Sequence, residues 1–133
     1  QGWLLKRLGC FSINQLSPSV STLRYAIDLI KKGEQLVVFP EGKINKYGRE
    51  LALKEGLYRL AKLATKKTDS IIIVPIGIAY SDLSPKFRSQ FCLSFGKPML
   101  MNDYSKITIK EFNKILHKKM IKAEKIALKN IGR

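Results

Sequence analysis

Cysteine and histidine are scarce in this chain of 133 residues, which contains two cysteines and one histidine. Cys10 and Cys92 lie far apart in the sequence and form no Cys-x-x-Cys pair, so neither a disulfide framework nor a zinc site is supported. Unpaired cysteines are typical of proteins in a reducing environment. The sequence therefore predicts no metal site and favours a cytoplasmic setting.

Long apolar runs are also missing. The longest, residues 71–80, contains Pro75 and Gly77 and falls well short of the ~20 residues that a membrane-spanning helix needs. Internal repeats and low-complexity segments are absent from the sequence as well. Any membrane contact that this piece of chain makes is therefore expected to be peripheral.

Acidic side chains are outnumbered by basic ones, 10 to 25, which gives a formal net charge of +15. A charge of this size predicts an anionic partner, which can be a phosphate ligand, a lipid surface or a nucleic acid. A lysine-rich bias in genome composition would produce the same excess without any partner. The charge alone leaves the partner open.

Helical and strand patterns alternate along the chain. Because 45% of the residues are hydrophobic, the chain has enough apolar side chains for the core of a single domain, which we predict at residues 1–133. Continuous apolar runs predict strands buried on both faces, and the alternating run at residues 87–95 predicts an edge strand with Phe91, Leu93 and Phe95 on one side. Helices are predicted at residues 3–8, 18–33, 53–64 and 108 onward, and strands at residues 11–13, 36–39, 71–80 and 87–95. This order predicts an α/β fold with a mostly parallel or mixed sheet and flanking helices.

The last predicted helix is amphipathic and begins at a capping-box pattern formed by Thr108 and Glu111. Its apolar positions are Ile109, Phe112, Leu116, Met120, Ala123 and Ala127. The opposite positions are Lys110, Lys114, Lys118, Lys122, Lys125 and Lys129. Such a helix is either docked on a core with a solvated outer face, which we favour, or bound to a membrane surface.

Residues 36–46, LVVFPEGKINK, carry an apolar run into a charged turn. Pro40 ends the strand because it has no N–H, and Gly42 allows a backbone turn that other residues resist and exposes amides to an anion. Glu41 is then held at the rim of the sheet, where it can orient a hydroxyl or pair with a cation. The nearby cations Lys43, Lys46, Arg49 and Lys54 could contact a phosphate. By spacing alone the signal is weak, and an ordinary charged loop is the favoured interpretation.

Several motifs, in order along residues 2–99, resemble those of the glycerolipid acyltransferases, the family of lysophosphatidic acid acyltransferases. The tetrapeptide at residues 39–42 matches the family's Phe-Pro-Glu-Gly motif, and Lys54 with Gly56 matches a Lys-x-Gly that opens a helix. VPI at residues 74–76 matches a Val-Pro-Ile strand end. GWLLKRLGCFSINQ at residues 2–15 looks like the family's Gly-x-x-x-Ile-x-Arg motif, and residues 80–99 are similar to the closing strand and Gly-x-Pro. The resemblance implies a glycerol-3-phosphate acyltransferase-like core at residues 1–99, followed by a loop and helix at residues 100–133.

The resemblance implies transfer of a fatty acyl group from acyl-CoA or acyl carrier protein to a lysophospholipid or glycerolipid hydroxyl, as in the conversion of 1-acylglycerol-3-phosphate to phosphatidic acid. The thioester is a co-substrate, so no cofactor and no metal are expected. An enzyme of phospholipid biosynthesis of this kind would bind peripherally to an anionic membrane surface on the cytoplasmic side. The implied substrate-binding residues are Phe39, Pro40, Glu41, Gly42, Lys43, Lys46, Lys54, Gly56 and Pro75. Glu41 would support catalysis, and Pro75 either lines the acyl groove or only ends a strand.

Two features of the family are missing from the sequence. Its catalytic His-x-x-x-x-Asp pair is absent, because His117 is followed five positions later by Lys122. We interpret His117 as an exposed structural histidine and expect the catalytic pair upstream of Gln1.

Gln15 and Ile44 occupy positions where arginines of the family help to hold the acceptor's phosphate, which leaves the identity of the acceptor open. Lys46 takes the position of a cation that some members carry two residues further on.

Two non-catalytic hypotheses stay open beside acyl transfer. A basic nucleic-acid-binding domain is supported by the charge alone, since no RNP-like pattern or glycine-rich RNA loop is present and lysine outnumbers arginine. A lipid-surface-binding α/β domain would keep the fold and the lysine-rich helix without the chemistry. The motifs favour acyl transfer, so nucleic acid is not expected as a partner.

Overall fold

The computed structural model describes residues 2–11, 13, 19–43 and 50–133. Contacts within the chain divide it into two compact units, Gln1–Val37 and Val38–Arg133. The organisation of residues 1–133 as one domain stays a prediction.

The first unit contains two helices, α1 (Gly2–Arg7) and α2 (Val20–Lys31). The Ser19 hydroxyl caps α2 by accepting a hydrogen bond from the Thr22 N–H at 3.1 Å. Glycines with positive φ follow both helices, Gly9 at +78° and Gly33 at +80°. The strand predicted at residues 11–13 is not found in the described part of the chain: positions 11 and 13 lie outside any strand, and position 12 lies outside the described residues.

The second unit combines helices with short strands. Its elements are α3 (Gly56–Ala64), β1 (Ile72–Ile73), β2 (Ile76–Tyr80), β3 (Phe91–Phe95), β4 (Met99–Leu100), a 3₁₀ helix (Met101–Tyr104) and α4 (Ile109–Asn130). The capping box predicted for α4 is present: the Thr108 hydroxyl accepts from the Glu111 N–H, and the Glu111 carboxylate accepts from the Thr108 N–H. In the part of the chain that is described, no helix has the length and apolar character needed to cross a bilayer.

The four strands pair as two antiparallel ribbons, β1 with β4 and β2 with β3. In the longer ribbon, Ile76 lies opposite Phe95 and Tyr80 lies opposite Phe91. The combination of helices with small antiparallel sheets is consistent with the predicted α/β class, but the mostly parallel or mixed sheet is not found among the described strands. A parallel pair needs a crossover connection, usually a helix, whereas β2 and β3 are joined directly by residues 81–90.

Residues 36–39 form no strand in the described structure, so the strand predicted there from its apolar run is also wrong. Val37 is 79% exposed and Phe39 is 67% exposed. An apolar run becomes a central strand only when other strands pair with it and helices cover it. None of the described strands pairs with this segment.

Helix α4 covers one face of the β2–β3 ribbon through small side chains. A Cβ atom at Gly77 would overlap the backbone of Ala123 and Glu124, so the helix lies directly against the strand. Ala79 and Ser94 are buried on the same face. The alternation predicted for β3 is present, but its large apolar residues, such as Phe91 and Phe95, are on the exposed side, at 64% and 66% exposure. Only small residues fit beneath so close a helix.

An aromatic cluster joins α3 to α4. The Phe112 ring, fully buried on α4, lies 5.1 Å from the ring of Tyr58 and 5.7 Å from that of Tyr104. The Tyr58 hydroxyl donates a hydrogen bond to the carbonyl of Ile107 at 3.0 Å, so this buried polar group has a partner. The cluster fixes α3, and the segment that leads into it, against α4.

Candidate functional site

The Phe-Pro-Glu-Gly segment forms a tight turn. The Gly42 N–H donates to the carbonyl of Phe39 at 3.1 Å, and Gly42 has φ of +67°, the left-handed conformation that glycine adopts without strain. Pro40 is buried and Glu41 is half-buried. The backbone turn predicted for Gly42 is thus present, but its N–H is used within the turn and is not the free anion donor that the sequence suggested.

The turn is joined to Lys54 by a backbone hydrogen bond. The Lys54 N–H donates to the carbonyl of Pro40 at 2.7 Å, so the Phe-Pro-Glu-Gly and Lys-x-Gly motifs meet in space. Gly56 is the first residue of α3, in agreement with a Lys-x-Gly that opens a helix. Glu41, Gly42 and the Lys54 backbone therefore lie in one region of the second unit.

Helix α4 holds the segment that contains Lys54. The Asn113 side-chain amide donates to the carbonyls of Leu53 at 3.3 Å and Lys54 at 3.5 Å. His117 Nδ1 lies 3.2 Å from a carboxylate oxygen of Glu50, and its side chain is only 23% exposed. His117 is therefore half-buried in α4, so the prediction of an exposed His117 is wrong.

The supporting residues Asn113 and Glu50 were missed by sequence reasoning. Asn113 sits among apolar and basic positions of α4, and its two partners precede it by about sixty positions. No local spacing connects residues so far apart, so only the fold reveals this contact.

The basic residues predicted for the site fall into two groups. The side chains of Lys43 and Lys54 are exposed. Lys46, together with Gln15, Ile44 and Arg49, lies outside the described residues.

Of the other predicted positions, Phe39 is exposed at the start of the turn. Pro75 is buried between β1 and β2, where its carbonyl accepts a hydrogen bond from the Gly96 N–H at 2.8 Å.

A cavity of about 230 Å³ borders the Glu50 end of this region. It is lined by Glu50, Lys114, His117, Lys118 and Ile121. A second, open cavity of about 570 Å³ lies between β3 and the end of α4. Across the described residues, no three His, Cys, Asp or Glu side chains are grouped closely enough to hold a metal ion.

Comparison with known proteins gives one family. The family model described as Acyltransferase matches residues 1–79, which is more than half of the chain and includes the turn, Lys54 and Pro75. No solved structure matches the chain.

Three curated relatives are similar to the chain and share one printed activity. A 1-acyl-sn-glycerol-3-phosphate acyltransferase of Streptococcus pneumoniae is 27% identical over 110 residues, covering 80% of this chain and 38% of the relative. Chloroplastic 1-acyl-sn-glycerol-3-phosphate acyltransferases of Arabidopsis thaliana (LPAT1) and Brassica napus (BAT2) are each 32% identical, over 56% and 45% of this chain. The chain spans only 20% and 18% of those two plant proteins. With the family model matching more than half of its length, the chain belongs to the acyltransferase family.

Proposed function

We propose that the protein transfers a fatty acyl group from an acyl-CoA or acyl carrier protein thioester to the hydroxyl of a lysophospholipid, with 1-acylglycerol-3-phosphate as acceptor and phosphatidic acid as product. Family membership and the printed activity of the three relatives support this proposal. The observation that carries it is the hydrogen bond between the Lys54 N–H and the Pro40 carbonyl, because it unites two motifs of the family in one region.

Binding of the acceptor's phosphate is assigned to lysine side chains of this region. Lys43 and Lys54 are exposed and next to the turn, and Lys46 follows in the sequence outside the described residues. An ammonium group is a compact point charge, so it binds a phosphate without the fixed two-pronged geometry of arginine. Lysines at these positions therefore suit an acceptor phosphate that is held by charge more than by orientation.

Glu41 is assigned a positioning role at the acceptor hydroxyl. Glu41 is half-buried and follows buried Pro40, so the turn fixes the position of its backbone. In the reaction the acceptor oxygen attacks the thioester carbonyl, the carbon–sulfur bond breaks, and the hydroxyl proton leaves with the thiol. The general base is assigned to no residue of this chain, since its one histidine, His117, faces Glu50 and has no aspartate five positions later.

The thioester supplies the activated carbonyl, so the proposal requires no metal and no bound cofactor. It places the enzyme peripherally on the cytoplasmic side of a membrane, where its acceptor and product reside. Apolar acyl chains stay in the bilayer, so an enzyme that works on them must reach the lipid–water interface.

Replacement of Glu41 by alanine in the full-length gene product tests the proposal. We expect the intact enzyme to acylate 1-acylglycerol-3-phosphate, and E41A to lower kcat/KM by about 10- to 100-fold, the value of one hydrogen bond to a charged group. The matched control is E34A, which removes an exposed carboxylate of the first unit. Failure to acylate any lysophospholipid, or equal activity of E41A and E34A, would contradict the proposal.

A further inference from the structure

The outer face of α4 carries six exposed lysines, which we call the lysine stripe. The stripe consists of Lys110, Lys114, Lys118, Lys122, Lys125 and Lys129. Successive residues of an α-helix turn by about 100°, so these six side chains fall within an arc of about 120°. The stripe extends over about 28 Å along the helix axis, at 1.5 Å per residue. The stripe is a predominantly basic surface that extends along most of the 22-residue helix.

The stripe lies opposite the face by which α4 is anchored. The buried residues of α4 are Phe112, Leu116, Ala123 and Ala127. They centre about 180° from the middle of the stripe at the same turn per residue. Because β2 and β3 pack against the buried face of α4, the lysine stripe lies on the side of the helix that faces away from the ribbon.

No lysine of the stripe forms an ion pair with a carboxylate in the part of the chain that the structure describes. Among the described residues, the ion pairs are Arg59 with Glu55 and His117 with Glu50, and neither uses a stripe lysine. The one carboxylate within the arc, Glu111, accepts hydrogen bonds from Thr108 in the capping box. An ordinary solvated helix face mixes charges of both signs, because opposite charges at i,i+4 stabilise it and like charges destabilise it. The stripe therefore has an energetic cost that an anionic partner would relieve.

We propose that the lysine stripe docks the protein on an anionic lipid bilayer. A straight helix with lysines on one side suits a flat surface of negative charge, where each lysine contributes about 1 kcal/mol of attraction. Ile121 and Leu128 lie between the lysines and are half-buried, so apolar groups accompany the charges at the interface. Helix α4 contains no arginine, and its one aromatic residue, Phe112, is buried. A surface for single-stranded nucleic acid would offer exposed aromatic and arginine side chains for base stacking.

Docking through α4 would bring the candidate site to the lipid surface. Asn113 ties the Lys54 segment to α4, and Glu50 contacts His117 one helical turn further along. Lys114 and Lys118 belong both to the stripe and to the lining of the cavity beside Glu50. The docking proposal rests on α4 alone and does not require acyl transfer, so the two proposals can fail separately.

Vesicle co-sedimentation of the 133-residue chain tests docking without any turnover. The probes are vesicles of phosphatidylcholine alone and vesicles in which part of the phosphatidylcholine is replaced by phosphatidylglycerol. We expect binding to the anionic vesicles only, and a loss of binding at high salt as the charges are screened. Equal binding to neutral vesicles, or no binding to either kind, would overturn the proposal.

A charge-matched pair of variants locates the binding surface. The stripe variant is K114Q/K118Q/K122Q/K125Q, and the control is K31Q/K32Q/K66Q/K67Q, whose lysines are exposed elsewhere. At about 1 kcal/mol per lysine, the stripe variant should lose more than about 100-fold in affinity for anionic vesicles. The control should lose less than about threefold. Equal losses would overturn the proposal, because net charge and not the stripe would then explain binding.

Lysine acetylation of the wild-type chain, mapped by mass spectrometry, gives a second measurement that does not depend on a folded variant. Anionic vesicles should protect the stripe lysines from the reagent and leave Lys66 and Lys67 reactive. Uniform protection, or none, would overturn the proposal. Protection of the stripe by single-stranded RNA, but not by anionic vesicles, would also overturn it and assign the surface to nucleic acid.

Discussion

Gly77 sets the distance between the β2–β3 ribbon and the helix that covers it. A Cβ atom at this position would overlap the backbone of Ala123 and Glu124, and backbone atoms cannot rotate away as the end of a side chain can. The position therefore requires glycine because of the space available, with no need for a positive φ. The rest of this face, Ala79 and Ser94, follows the same requirement for small side chains.

We predict that Gly77→Ala destabilises the protein by at least about 2 kcal/mol, as overpacking of a close contact does. Urea denaturation followed by circular dichroism measures the change in the free energy of unfolding. The matched control is Gly56→Ala at the start of α3, where an added Cβ meets nothing within 4 Å. Equal stability of the two variants would show that α4 does not lie directly against β2.

Single residues were predictable where a local pattern determines their role. The turn conformation of Gly42 and the capping box of Thr108 and Glu111 follow from residue type and neighbours along the chain. The close contact of Gly77 with α4 and the contact of His117 with Glu50 depend on partners distant in sequence. No spacing rule identifies such partners, so these roles needed the structure.

The capping box of α4 makes the start of this helix sensitive to acid. The backbone N–H and then the hydroxyl of Thr108 donate to the Glu111 carboxylate, and these bonds lower the pKa of Glu111 below its ordinary value of 4.5. A carboxylate whose pKa is lower in the folded chain than in the unfolded chain stabilises the fold above the unfolded pKa. That stabilisation is lost as the pH falls through the folded pKa.

We therefore predict that Glu111→Gln lowers the free energy of unfolding at neutral pH, and that its difference from the wild type shrinks as the pH falls below 4.5. Denaturation curves recorded across the acid range measure this difference. Glu124→Gln, which removes an exposed carboxylate of α4 outside the cap, is the matched control. A difference that stays constant with pH would show that the ionised Glu111 does not stabilise the start of the helix.

Helices were easier to predict than strands at the scale of elements. Caps, glycines and apolar periodicity lie within each helix, so α2, α3 and α4 occur where the sequence indicates them. The partner of a strand lies elsewhere in the chain, and apolar runs do not say whether the pairing is parallel or antiparallel. The strand predicted at residues 36–39 and the mostly parallel or mixed pairing predicted for the sheet were wrong for the described residues for this reason.

For the molecule as a whole, the exposed face of the β2–β3 ribbon is the feature that the sequence least anticipated. Phe91, Leu93 and Phe95 on β3 face away from α4, beside Ile78 and Tyr80 on β2. A contiguous apolar face of this kind is unusual on an isolated soluble monomer. The order of the family motifs was nevertheless sufficient to predict family membership, because those motifs are local stretches of sequence.

The hydrogen bond between the Lys54 N–H and the Pro40 carbonyl brings two local sequence motifs together in one candidate site. The central claim is that this site binds the phosphate of the acceptor. Lys54 can be tested through the acceptor as well as through the protein, because a monoacylglycerol offers a hydroxyl without the phosphate.

The most direct measurement is kcat/KM of the full-length gene product and its K54A variant with 1-acylglycerol-3-phosphate and with monoacylglycerol. Loss of one charge-assisted contact should lower kcat/KM by about 10- to 100-fold for the phosphate-bearing acceptor. The value for monoacylglycerol should stay unchanged, as should both values in K66A, which removes an exposed lysine just beyond α3. An equal loss with both acceptors, or no loss with either, would contradict the claim that Lys54 binds the phosphate.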